Sequence, residues 1–577
     1  MSWSFELRAS CGGAVRSASY ALTPRERTTP ISDSSMTAKD LVHVVIYGGA
    51  FWGHARAATH YSIELCIRSP NLIISLLLPA DLTDKAKAAF ECWITETTSD
   101  ADTATDVRVR INFVSITPPD DYECPPELVG SFVNVFKAPS VAFTVYWKKI
   151  HDEPQDLPRP SMLIVDACTD YEREYIKSIN DVPILLIFTM PLNYFTYYFG
   201  PEESGLLGSR FHKALDTIAD RKERDQELAD IWASAAPELA RTGDVQIHQY
   251  EHNPTRLPCP PGAGAWSLRT SLKVDGHIIC SASWLEPGAR KLVRSYFDGQ
   301  LKKPTYCANI RVSTSVLETP LSPERLSALS PPEKEIISFL DNALDKYGPD
   351  SVLYLSFGTL YGPYNEPWQA DLFIDVMTEN KRPFVMSQAS VNAIMNPGLE
   401  ARIKKAKEAG LCATATWVPQ DMVLRHKALG AFITHGGWNS TCESIGTAVP
   451  MIYWPFSVDQ SFVASLSSTG TDPAAWQLYE TRGSSAPEYR PYHFRDGPQK
   501  SGLGETIPVP TGTPEALRAE FERVLIREAA AESPELKKRK ERMLALRERF
   551  IESTKPGGES YQAISDVLTP IGCTIRA

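Results

Sequence analysis

The chain has 577 residues, 43% hydrophobic and 22% charged, an ordinary globular composition that excludes a disordered chain. Its 59 Lys and Arg stand against 70 Asp and Glu, a formal net charge of −11, so it lacks the basic excess of a protein that tracks nucleic acid. The longest largely apolar stretch, residues 72–80, falls far short of the roughly 20 residues that cross a bilayer, and no transmembrane segment is expected.

Eleven cysteines lie singly between Cys11 and Cys573 with no Cys-x-x-Cys pair. That pattern reads as free thiols in a reducing compartment, not as a disulfide framework or a zinc site. Residues 1–38 read as a flexible tail, because the Ser, Thr, Arg and Ala there lack the basic start and apolar core of a signal peptide. A transit peptide, or a start at Met36, is the other reading of that stretch, and the cytoplasm is the expected location.

The first element is the β-branched run 42–47, followed by Gly48-Gly49, Gly53-His54 and a helix over 55–68. Strands are predicted at 72–78, 109–114, 162–165 and 184–188, and a helix at 81–95. This alternation predicts an α/β domain with a parallel sheet over 39–316. Residues 317–334 hold four prolines among polar residues and read as a linker. The pattern then restarts, with strands at 351–357, 383–386, 413–417, 431–434 and 451–454 and helices at 368–379 and 439–446. A second Rossmann-like domain is expected over 335–545. Its residues 467–511, rich in Gly, Pro and Ser, read as an irregular insertion. The charged run 534–552 reads as a solvated helix, and 546–577 as a closing helix and tail.

The most informative segment is 417–460, WVPQDMVLRHKALGAFITHGGWNSTCESIGTAVPMIYWPFSVDQ. A strand runs into His435-Gly436-Gly437 and a helix opened by Trp438-Asn439-Ser440. Paired glycines admit a ligand to the backbone, and a helix N-terminus offers N–H groups and a positive dipole end. That is a phosphate site. His435, Asn439 and Ser440 add donors, and Glu443, one turn on, suits ribose hydroxyls. Trp417 offers a flat face to a base. Asp459 and Gln460 pair a carboxylate with an amide, which suits sugar hydroxyls.

This segment resembles the forty-four-residue nucleotide-sugar signature of family 1 UDP-glycosyltransferases, matching at Trp417, Pro419-Gln420, His426, His435, Gly437-Trp438-Asn439-Ser440, Glu443-Ser444, Pro450, Trp454-Pro455 and Asp459-Gln460. Ser356-Phe357-Gly358-Thr359 is similar to the family's hydroxyl-bearing turn, and Leu285-Glu286-Pro287 to its strand before the linker. The resemblance implies the GT-B fold, two Rossmann-like domains facing across a cleft that holds the reactants and excludes water. It implies Trp417 stacked on uracil, backbone near Val418 and Gln420 reading its edge, Glu443 on the ribose, His435, Asn439 and Ser440 on the diphosphate, Thr359 facing the nucleotide, and Gly437 in the donor site. Trp438, Asp459 and Gln460 then face the sugar. A Gln at the last position goes with glucose donors in the plant branch.

An alcohol is a poor nucleophile at neutral pH and needs a general base. His54 follows the first strand at the sheet edge where α/β ligands bind, and the family carries its base in this Gly-His turn. Asp166, after the strand 162–165, is the expected carboxylate partner. Displacement from an α-linked donor inverts the anomeric centre, so a β-glycoside is expected. No metal or cofactor is expected beyond the UDP-sugar co-substrate. The aromatic run Tyr194, Phe195 and Tyr198, with Phe51 and Trp52 beside His54, is read as an acceptor wall for terpenoids, sterols, polyketides or phenolics. Core packing explains the run equally well. The rival functions are a non-catalytic UDP-sugar binder and an epimerase-type protein. His426 carries no assigned chemistry. Asp100-Ala101-Asp102 imitates a metal motif of another fold and reads as a chance match in a loop. Gly48 to Gly53 lacks both G-x-G-x-x-G and a P-loop ending.

Overall fold

The computed structural model describes residues 40–98, 100–124, 134–153, 156–201, 208–235, 237–254, 273–312, 323–327, 329–390, 397–482 and 490–576. The expected tail 1–38 lies outside them. Two compact units are present. The first takes in the described residues up to Ile187, residues 273–278 and those from Ala563 onward; the second takes in the described residues of 188–268 and 279–562.

In the first unit, β1 (Val42–Tyr47) leads through α1 (Trp52–Arg68) to β2 (Leu72–Pro79), α2 (Ala80–Thr97), α3 (Ala101–Arg110), β3 (Ile111–Ile116), α4 (Asn134–Asp152) and β4 (Pro160–Asp166). β5 (Ile184–Phe188) and β6 (Gly276–Ile279) follow, and the strand order is β3-β2-β1-β4-β5-β6. β1 and β2 are buried along their whole length, the state in which a parallel strand needs an unbroken apolar run. The order reverses between β1 and β4, which pair in parallel with Tyr47 opposite Val165. Asp100 lies at a helix start and not in a loop: its side chain accepts from the Thr103 N–H and caps α3.

In the second unit, α5 (Leu192–Phe199) is held at its start by buried Glu286, whose carboxylate accepts from the Leu192 and Asn193 N–H groups at 2.9 and 2.7 Å. α6 (Pro331–Tyr347) begins inside the expected linker, capped by Ser330 and Glu333, and 323–327 is also helical. Proline at the first turn starts a helix as readily as it marks a linker. The sheet is built from β7 (Val352–Ser356), β8 (Phe384–Ser387), β9 (Cys412–Ala415), β10 (Leu429–Thr434), β11 (Met451–Tyr453) and β12 (Trp476–Gln477), in the order β9-β8-β7-β10-β11-β12. Between them lie α7 (Trp368–Glu379), α8 (Pro397–Glu408), α9 (Gln420–Arg425), α10 (Trp438–Gly446) and α11 (Gln460–Ser468). The reversal recurs between β7 and β10, with Ser356 opposite Thr434.

The stretch 467–511 is less irregular than its composition suggests. β12 is a buried edge strand, and 499–500 pairs antiparallel with 506–507. α12 (Pro534–Thr554) is only half solvated, since Leu536, Met543 and Phe550 are buried and Arg539 lies 4.1 Å over the Trp476 ring.

Residues 574–576 return to the first unit. The Thr574 N–H donates to Asn71 Oδ1 at 2.8 Å, the Arg576 N–H to the Arg68 carbonyl at 2.8 Å, and the Arg576 guanidinium to Asp106 at 2.9 Å. Beside them Arg110, 1% exposed, donates to the carbonyls of Cys66, Ser69 and Leu72 and to both oxygens of Asp106. Replacing it removes the donor to three carbonyls and leaves the buried Asp106 carboxylate to Arg576. Arg110→Met is therefore expected to cost about 3–5 kcal/mol, read as a lowered urea midpoint of the first unit.

Candidate functional site

At the reversal in the first sheet, the two turns after β1 and β4 come together. His54 lies in the first turn of α1 and Asp166 ends β4. Their side chains meet, with His54 Nδ1 at 2.9 Å from Asp166 Oδ1 and 3.0 Å from Oδ2. Asp166 is 1% exposed and the His54 side chain 16%. The contact needs a glycine next door: a Cβ on Gly49 would sit 2.5 Å from Asp166 Oδ1 and 2.8 Å from His54 Cβ. Asp166 Oδ1 also accepts the Cys168 N–H at 2.7 Å, which fixes the carboxylate.

Burial disfavours the imidazolium, but the Asp166 carboxylate and the Cys168 sulfur outweigh it and hold the His54 pKa well above the usual 6.5. A carboxylate on Nδ1 selects the tautomer whose Nε2 lone pair can take a proton. Cys168 Sγ lies 3.6 Å from that Nε2. Sequence reading missed Cys168, although its place two residues after Asp166 was the available signal.

Phe51 lies 6.2 Å from the His54 ring and 5.6 Å from Phe136, so an aromatic wall does stand beside the histidine. Phe136, on α4, was not singled out from the sequence. Trp52 turns the other way, packing on Trp93 with Lys85 4.1 Å over its ring. Tyr194, Phe195 and Tyr198 are buried in the second unit. Phe195 is enclosed by Phe188 and Phe297, and Tyr194 and Tyr198 pack on His252. Core packing accounts for Phe195 outright, because no face of it reaches solvent.

At the reversal in the second sheet, β10 ends in His435-Gly436-Gly437 and α10 begins at Trp438. Gly437 caps the helix without a side-chain bond, so the first N–H groups of α10 remain available to an anion. Glycines pin the His435 ring on two sides: a Cβ on Gly358 (φ +72°) would lie 2.9 Å from its Cε1, and one on Gly437 2.5 Å from its Nε2. Burial pushes the His435 pKa down to about 4, so the ring is neutral at pH 7. Its Nδ1 is buried and has no hydrogen-bond partner among the described residues. Asn439, Ser440 and Thr359 are half-buried around this edge.

Gln420 Nε2 donates to Glu443 at 2.6 Å and to Ser440 at 3.4 Å, while its Oε1 accepts from the Tyr354 hydroxyl. Glu443 is thus held in place by a neutral donor. Trp417 is 42% exposed, an uncommon state for so large a ring, whereas neighbouring Val418 is buried. Trp438 departs from expectation: its indole is 2% exposed and donates to the Cys280 carbonyl at 2.5 Å, so it anchors the helix. Asp459 and Gln460 are buried, and Gln460 Oε1 accepts from the Phe456 and Ser457 N–H groups, which fixes its amide. Val458, just before them, holds φ +61°, a left-handed conformation that costs a β-branched residue about 1–3 kcal/mol.

A family model described as "UDP-glucoronosyl and UDP-glucosyl transferase" matches residues 402–479. Among similar proteins, an (R)-mandelonitrile beta-glucosyltransferase of Prunus dulcis is 37% identical over 368 residues, which cover 61% of this chain and 70% of that protein. A 7-deoxyloganetin glucosyltransferase of Catharanthus roseus is 34% identical over 374 residues, covering 59% and 67%. Among solved structures, Medicago truncatula UGT71G1 complexed with UDP-glucose superimposes with a TM-score of 0.61 at 18% identity, over 93% of this chain and 99% of that one.

The histidine charge is open to direct test. A raised pKa keeps the proton on His54 to higher pH, so NMR titration should place its midpoint above 6.5, and Asp166→Asn should bring that midpoint down.

Proposed function

Because this chain belongs to the family of UDP-glucuronosyl and UDP-glucosyl transferases and has its GT-B fold, we propose that it moves glucose from UDP-glucose to a hydroxyl of an apolar small molecule. The observation that carries this reading is the buried His54–Asp166 pair, a base with its orienting carboxylate. A UDP-sugar binder without chemistry has no use for such a pair. The two named relatives act on small organic molecules, mandelonitrile and 7-deoxyloganetin, and supply the acceptor class.

In the reaction, His54 Nε2 takes the acceptor proton as the oxygen attacks the anomeric carbon, and Asp166 stabilises the imidazolium that forms. Attack from the face opposite the diphosphate gives a β-glycoside. Charge growing on the leaving diphosphate meets the N–H groups at the start of α10, with Asn439, Ser440 and neutral His435 as further donors. On this reading no metal takes part. Trp417 stacks on uracil, Glu443 holds the ribose, and Asp459 and Gln460 meet the sugar. Phe51 and Phe136 give the acceptor an apolar wall.

The reading sets the enzyme in the cytoplasm. Among the described residues no helix is long and apolar enough to cross a membrane, and none of the nine described cysteines is in a disulfide, as in a reducing compartment.

Incubation with UDP-glucose, UDP-xylose and UDP-galactose against a panel of terpenoid, sterol and phenolic alcohols, read by mass, should yield glucosides first. His54→Ala should lose roughly 10²–10⁴-fold in kcat while binding UDP unchanged by calorimetry. Full turnover in that variant would remove His54 from the mechanism. The rate should rise with pH through a midpoint above 6.5, since only neutral His54 can accept a proton. Gly437→Ala, which drives a methyl against the His435 ring, should weaken UDP binding by about tenfold or more, or about 1.4 kcal/mol.

A further inference from the structure

Cys168, His54 and Asp166 form a chain of three groups, with thiol, imidazole and carboxylate atoms all within 4.8 Å of one another. The thiol lies 3.6 Å from His54 Nε2, and the carboxylate holds Nδ1 at 2.9–3.0 Å. This is the spatial order of nucleophile, base and orienting acid that activates a thiol. The backbone sets the same arrangement, because the Cys168 N–H is tied to Asp166. Most described cysteines are buried (Cys66, Cys280, Cys307, Cys412, Cys442 and Cys573), but Cys168 is partly exposed, as are Cys92 and Cys124. Nothing in sugar transfer requires a sulfur beside the proton-accepting nitrogen.

We propose that Cys168 is a covalent modification site for α,β-unsaturated carbonyl compounds, and that its modification silences the transferase. His54 Nε2 takes the thiol proton, and the sulfur bonds to the β-carbon. The electrons of the broken C=C π bond pass to the carbonyl as an enolate, and the proton on Nε2 then moves to the α-carbon. The sum is a simple addition with no change of oxidation state and no further reactant. The thioether is left against the nitrogen that must face an acceptor hydroxyl.

N-ethylmaleimide, which adds by this route, tests the site in the intact chain. At neutral pH, peptide mass mapping should show Cys168 labelled about tenfold or more faster than Cys92 and Cys124. Both His54→Gln and Asp166→Asn should slow Cys168 and leave the two reference cysteines unchanged; a rise at the references would instead expose a misfolded variant. The labelling arm stands apart from the sugar-transfer reading, whereas the activity arm rests on His54 as the base of transfer. There, wild-type turnover should fall in step with Cys168 occupancy, and Cys168→Ala should keep its own untreated rate after exposure. Equal labelling of the three cysteines, or no slowing in either variant, overturns the site. Full turnover with Cys168 fully occupied overturns the silencing.

Discussion

Both halves of the chemistry depend on one pairing rule: in each parallel sheet the first strand lies beside the fourth. A strand delivers whatever follows it to its carboxyl end, so this adjacency brings together turns that are far apart in the chain. β1 beside β4 places His54 and Asp166 in contact across 112 residues. β7 beside β10 places the Gly358 turn against His435. In open α/β sheets such a reversal is where the flanking helices diverge and leave a crevice for ligands.

Two histidines occupy equivalent edges and are tuned in opposite directions. His54 is partly buried next to a carboxylate and keeps a proton readily; His435 is buried, with no acid beside it among the described residues, and stays neutral. In the proposed reaction the first accepts a proton from an alcohol while Asp166 stays paired with it. In the proposed reaction the second presents an uncharged ring to the diphosphate, where a fixed positive charge would grip the product as firmly as the reactant. Small residues make both arrangements possible, since Gly49 and Gly437 leave the space that each ring occupies.

Much of this was legible from the chain alone. The apolar runs at 42–47 and 72–78 could only be buried parallel strands, and the spacing from Trp417 to Gln460 carried the nucleotide-sugar resemblance. What escaped had physical reasons. Trp438 has the same letters whether its indole meets a ligand or a carbonyl, and only the distant Cys280 decides. The aromatic run 194–199 satisfies helix packing and ligand contact equally, so periodicity could not separate them. Phe136 joined Phe51 through tertiary contact without any local pattern. The prolines of 323–332 signalled a linker and a helix start at once.

Residues 574–576 close hydrogen bonds onto Asn71, Arg68 and Asp106. A ribosome releases a polypeptide from one end only, so these partners emerge hundreds of residues before the segment that completes them. The nascent β1–β6 layer must therefore wait with its α1 and α3 ends uncovered while everything between is translated. Chaperone demand during synthesis should follow from that delay.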